Sequence, residues 1–130
     1  VGARALSLQP FIDTITDRST PLDADTMAFA DNLKQLPAIT HLRGLELTDA
    51  SGQVVATLEN KPGQAGSVAV YSALAQRFGH IDARAAEAGL ELYSEHTTDA
   101  RANPGKHPNI DRLIALIDHG GTLTVRPLPV

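Results

Sequence analysis

The 130-residue chain has no Cys and no Trp, a single Met, two Tyr and three Phe. Without Cys there can be no disulfide, no thiolate metal site and no thiol nucleophile, so a buried core must hold the fold and other side chains must carry any chemistry. No apolar run approaches the ~20 residues that span a bilayer. Basic charge is not in excess: 11 Lys and Arg stand against 15 Asp and Glu, a formal net charge of −4. Phosphate backbones reward clustered positive charge and stacking aromatics, and the chain offers neither. We therefore expect no nucleic-acid partner and no membrane partner. Val1 to Pro10 lacks the apolar centre of a signal peptide, and the first residue is not an initiator Met, which leaves the native start open. Internal repeats, low-complexity tracts and a G-x-S-x-G nucleophile elbow are also missing, which removes solenoids and serine hydrolases of that type.

What is present fits one domain of ordinary size. Residues 1–22 are ambiguous: Phe11, Ile12 and Ile15 suit one face of a short helix, while Ile12 to Thr16 suits an extended segment equally well. Residues 23–130 read as a single compact unit. Asp25 is placed to cap a helix reaching Leu36, with Phe29, Leu33 and Leu36 as its apolar stripe and Pro37 as its stop. From Leu42 the period changes to two, with Leu45 and Leu47 on one face and Glu46 and Thr48 on the other. Asp49-Ala50-Ser51-Gly52 is turn chemistry, and Val54 to Leu58 returns as the second strand of a hairpin. A helix over Val68 to Phe78 buries Tyr71, Leu74 and Phe78 and stops at Gly79. Another begins after Asp82 and carries Ala86, Leu90, Tyr93 and onward to Ala100, weakened at Gly89 by about 1 kcal/mol relative to Ala. Pro108 or Asn109 opens the last helix, with Ile110, Leu113, Ile114 and Ile117 inward. Thr122 to Val125 alternates like a strand, and Pro127, which removes a ladder donor, places it at an edge or ends it there. The expected class is α+β: about three mostly antiparallel strands with about four helices packed on one face.

The chemistry concentrates in one corner. Gly63-Gln64-Ala65-Gly66-Ser67 precedes a helix, but it lacks the Lys-Ser/Thr pair of a phosphate loop and reads as a connection with Ser67 as N-cap. The stretch from Tyr93 to Arg112 is different in kind. On a continuous helix Tyr93, His96 and Asp99 share a face, and Glu95 and Asp99 lie one turn apart. Pro104 and Pro108 then brace a turn holding Lys106 and His107, and Asn109 and Asp111 sit at the positive end of the next helix. Gathered together, Glu95, His96, Asp99 and His107 would suit a divalent metal, with His96, Asp99 and His107 as the candidate ligands. They would equally suit metal-free acid–base work, and a third possibility is anion capture by Lys106, His107, Arg101 and the N–H groups of the final helix. Each residue also has a structural reading: a solvated helical face, a helix stop at Asn103-Pro104-Gly105, an N-cap at His107 or Asn109, and a first-turn carboxylate at Asp111. His41, His80 and His119 have adequate local roles.

The segments Gly89-Leu90-Glu91-Leu92-Tyr93-Ser94-Glu95-His96 and Pro104-Gly105-Lys106-His107-Pro108-Asn109-Ile110-Asp111 resemble a small bacterial family known only as a domain of unknown function. The hairpin from Leu42 to Leu45 and the Gly-Ser-Val start of the Tyr71 helix are similar as well, so the likeness runs roughly from Leu33 to Val130. The resemblance implies a compact bacterial, cytoplasmic domain and carries over no catalytic residue.

Two function classes follow. In the first, a small enzyme or ligand-binding domain, His96 and His107 act as base, acid or metal ligands, and Asp99 and Glu95 orient them or ligate in turn. Lys106, Asn109 and Asp111 then contact a small anionic or polar molecule, with Tyr71 and Tyr93 lining the pocket. In the second, a non-catalytic homodimer or partner-binding protein uses the open sheet face and the edge strand from Thr122 to Val125.

Overall fold

The computed structural model describes residues 28–130. Strands β1 (Leu42–Thr48) and β2 (Val54–Glu59) form the expected hairpin, with Leu45 opposite Leu58 and Leu47 opposite Ala56. Asp49 makes the turn: its Oδ1 accepts from the Ser51 and Gln53 N–H groups at 2.9 and 3.0 Å. Strand β3 (Thr124–Pro129) runs antiparallel along the other side of β1, giving the order β2-β1-β3. It starts two residues later than the alternation suggests and continues through Pro127 to Pro129. This is tolerable because β3 is an edge, where a missing N–H breaks no second ladder.

Among the described residues five helices complete the α+β arrangement: α1 (Phe29–Leu33), α2 (Ala65–Phe78), α3 (Ala83–Tyr93), α4 (Glu95–Ala102) and α5 (Pro108–His119). Leu45, Leu47 and Leu58 of the sheet join Val68, Tyr71 and Leu74 of α2 in one core, which continues through Ala86 and Leu90 of α3 to Ile110, Leu113 and Leu116 of α5. Leu116 is buried where the sequence pointed to Ile114 and Ile117, which pack at the margin. Among the described residues no helix is long and apolar enough to cross a membrane.

Three boundaries differ from expectation, each for a local reason. Helix α1 is one short turn ending at Leu33, so Leu36 packs from beyond it; Asp25, its expected cap, lies outside the described residues, as do residues 1–22. Helix α2 starts at Ala65, which places Ser67 inside the first turn, where its Oγ accepts from the Tyr93 hydroxyl at 2.6 Å and caps nothing. The long helix expected after Asp82 is two: Asp82 does cap α3 through the Ala85 N–H, but Ser94 takes φ 54° and breaks the run. The Ser94 N–H still reaches the Leu90 carbonyl at 3.3 Å, and Thr97 Oγ1 donates to that carbonyl at 2.6 Å, which locks α4 at an angle to α3.

Gly89 explains the contact between α3 and α5. A Cβ at this position would stand 2.8 Å from Leu113 Cδ1 and 2.9 Å from Leu74 Cδ1, and both leucines are buried. Glycine therefore sits in mid-helix because the neighbouring helices leave no space for a methyl group. Gly89→Ala gains about 1 kcal/mol in helix propensity and meets an overpacking cost of about 1–3 kcal/mol. We expect urea unfolding to show a net loss of stability; a variant more stable than the parent would mean that the two leucines yield freely.

Candidate functional site

The corner between α4 and α5 is built from its own side chains. Asn103 closes α4, its Nδ2 donating to the Asp99 carbonyl at 3.1 Å and to Asp99 Oδ1 at 2.9 Å. Gly105 takes φ 93°, and its N–H donates to Asp111 Oδ2 at 2.9 Å. The other oxygen of Asp99, Oδ2, receives two groups: His107 Nε2 at 2.7 Å and Lys106 Nζ at 2.9 Å. These two bonds, His107 first, hold the Asp99 carboxyl below the usual aspartate range, at about 2. With a carboxylate on Nε2, the neutral His107 ring carries its proton there and its lone pair on Nδ1.

Opposite this corner stands α1. The Phe29 ring stacks on Tyr93 at 5.2 Å between centroids and meets the His96 ring edge-on at 5.1 Å. His96 in turn lies 5.7 Å from the His107 ring. A cleft of about 410 Å³ opens between α1, the start of α2 and the α4–α5 corner, with Phe29, Leu33 and Ile110 as its apolar lining and His96, Lys106 and His107 as its polar lining. Tyr93 and Asn109 also border it.

The structure thus brings together His96, His107, Lys106, Asn109 and Tyr93, with Asp99 directly behind His107. It sets the remaining candidates elsewhere. Glu95 turns to α1, where its Oε1 accepts the Phe29 N–H at 2.9 Å and its Oε2 stays 3.9 Å from His96 Nε2. Asp111 holds the Gly105 turn. Tyr71 is fully buried beneath α5, where its hydroxyl donates to the Asn109 carbonyl and accepts from Arg112 at 3.2 Å. Its role is to fix the first turn of α5, and burial raises its pKa. Burial also raises that of Tyr93, so the Tyr93 hydroxyl stays protonated and donates to Ser67. Arg101 lines a separate groove with Pro104 and Asp118.

Two parts of the cleft escape sequence reasoning. Phe29 and Leu33 look like ordinary core positions, yet they form one wall. The Gly63–Ser67 connection supplies Gly63, Gly66 and Ser67 to the rim. A Cβ at Gly66 would stand 3.0 Å from the Phe29 ring, so the glycine lets α1 lie close.

A metal centre does not assemble. Among the described residues no three His, Cys, Asp or Glu side chains are placed to hold an ion. The cause is local: Asp99 is already engaged by Lys106 and His107, while Glu95 and Asp111 are spent on backbone N–H groups.

A family model described as "uncharacterized protein conserved in bacteria (DUF2322)" matches residues 29–127. The chain belongs to this family. No curated protein and no solved structure matches it. The matched span of the DUF2322 family starts at Phe29, so it includes the α1 wall as well as the corner that closes the cleft.

The lowered pKa of Asp99 fixes a sign for acid unfolding. Its bonds add stability that is fully present above the ordinary aspartate value of about 3.9 and that fades as pH falls through about 2. We expect Asp99→Asn to be less stable than the parent at pH 7 by chemical denaturation, with the difference shrinking between about pH 4 and pH 2. Equal stability of the two proteins at pH 7 would remove the carboxylate from any structural role.

Proposed function

We propose that the cleft between α1 and the α4–α5 corner binds a small anionic or polar molecule and that His107, oriented by Asp99, serves as its acid–base group. The observation that carries this reading is that Lys106, His96 and His107 line one concave surface whose other wall is apolar. Concave, largely apolar sites with a few convergent polar groups are the usual form of small-molecule sites. A carboxylate behind an imidazole selects its tautomer and its orientation, as general acid–base catalysis requires. The polar rim favours an anion because Lys106 brings a cation that keeps two N–H donors beyond the one it gives Asp99. The competing reading, association through β3, is less favoured because Pro127 and Pro129 leave that edge with two positions that donate no N–H.

Thermal and chemical unfolding in the presence of inorganic phosphate, acetate and small dicarboxylates tests the reading. An anion held at 100 times its Kd should raise stability by about 2.7 kcal/mol; Lys106→Ala should abolish the rise, and His107→Ala, which leaves the Asp99 carboxylate less compensated beside the cleft, should reduce it. If no anion shifts the unfolding transition, or if both variants respond like the parent, the cleft is not an anion site.

A further inference from the structure

The same cleft also specifies the shape of what it binds. We propose that its ligand is a small organic anion with a ring-sized apolar body, of the class of an aryl carboxylate or aryl phosphate; this rests on the anion reading above. The cleft is about 410 Å³, within the range of sites for organic ligands and far more than an inorganic anion fills. Its two sides differ in chemistry. Phe29 and Leu33 stand one turn apart on α1 and face Gly66, with Ile110 beside them, and none of these offers a hydrogen bond. On the other side, Lys106 uses one of its three N–H donors on Asp99 and keeps two, and His96 has no carboxylate among the described residues nearer than Glu95 at 3.9 Å. A wholly charged ligand would leave the α1 wall against water, and a wholly apolar one would strip water from Lys106 and the imidazoles without replacing it. Only a molecule with both parts answers both sides.

Five probes separate the two halves of the proposal on the unaltered protein: benzoate, acetate, benzamide, phenyl phosphate and inorganic phosphate. Isothermal titration should show benzoate at least tenfold tighter than acetate, and phenyl phosphate at least tenfold tighter than phosphate, a difference of about 1.4 kcal/mol. Benzamide, of benzoate's size without its charge, should bind at least tenfold more weakly than benzoate. Leu33→Ala should reduce the preference for benzoate over acetate. Equal binding of benzoate and acetate, with phenyl phosphate equal to phosphate, would overturn the apolar half and leave the anion reading standing. Equal binding of benzoate and benzamide would overturn the anion reading itself, and binding of none of the five would end both.

Discussion

One carboxylate oxygen organises the corner on which the proposed site depends. Oδ2 of Asp99 takes both His107 Nε2 and Lys106 Nζ, while Oδ1 takes the Asn103 amide. Asp99 lies in α4, and its three partners lie in the turn that leads to α5. The backbone of the turn is also held by Asp111 Oδ2 on the Gly105 N–H and by the Lys106 N–H on the Asn103 carbonyl, and the His107 ring is held by the Asp99 carboxylate. Without that carboxylate the imidazole would be a loop side chain with many rotamers. With it, the ring has a set tautomer and a set direction before any ligand arrives. Charge-assisted bonds of this length are the strong class of hydrogen bond, although solvent exposure at Asp99 moderates their contribution to stability.

The facing wall is held in a different way. A helix of five residues has no stability of its own, and its end leaves N–H groups that need partners. Helix α1 is held from both α4 and α3: Glu95 Oε1 of α4 accepts the Phe29 N–H, and the Asn32 side chain donates to the Leu92 carbonyl of α3 at 2.9 Å. Glu95 therefore performs the work of an N-cap from a distant part of the chain, which is why a local cap is dispensable at Ala28. The ring stack of Phe29 on Tyr93 completes the attachment. Both walls of the cleft thus lean on α4, one through Asp99 and the other through Glu95, one helical turn apart.

This division accounts for what the sequence discloses and what it hides. The hairpin is legible because Leu45 and Leu47 alternate with Glu46 and Thr48, and because Asp49 is a turn former whose partners are two and four residues away. The corner is legible because its polar residues and prolines exceed what a helix stop needs. The break at Ser94 is not legible, since no Gly or Pro marks it; it is fixed by Thr97 reaching back to Leu90, a bond that any helix-compatible reading of the stretch would overlook. The diversion of Glu95 and Asp111 is hidden for a related reason. Spacing places carboxylates near a corner, but it cannot show that a backbone N–H, at Phe29 or at Gly105, will claim them first. The α1 wall is hidden because its meaning comes from the approach of Phe29 to Gly66, a contact between elements that no periodicity records.

The Asp99 contact also sets the chemical character of the cleft. Lys106 and Asp99 form a neutral pair, so the lysine alone does not make the cleft strongly positive. What remains beyond that pair is directional: two further donors on Lys106, the Nδ1 lone pair of His107 and the ring of His96. In the proposed site such a set would distinguish ligands by where their donors and acceptors lie, whereas a bare positive patch would take any anion. A carboxylate that binds the corner together therefore also tempers its charge, and in the proposed site selectivity would pass to hydrogen-bond geometry and to the apolar wall across the cleft.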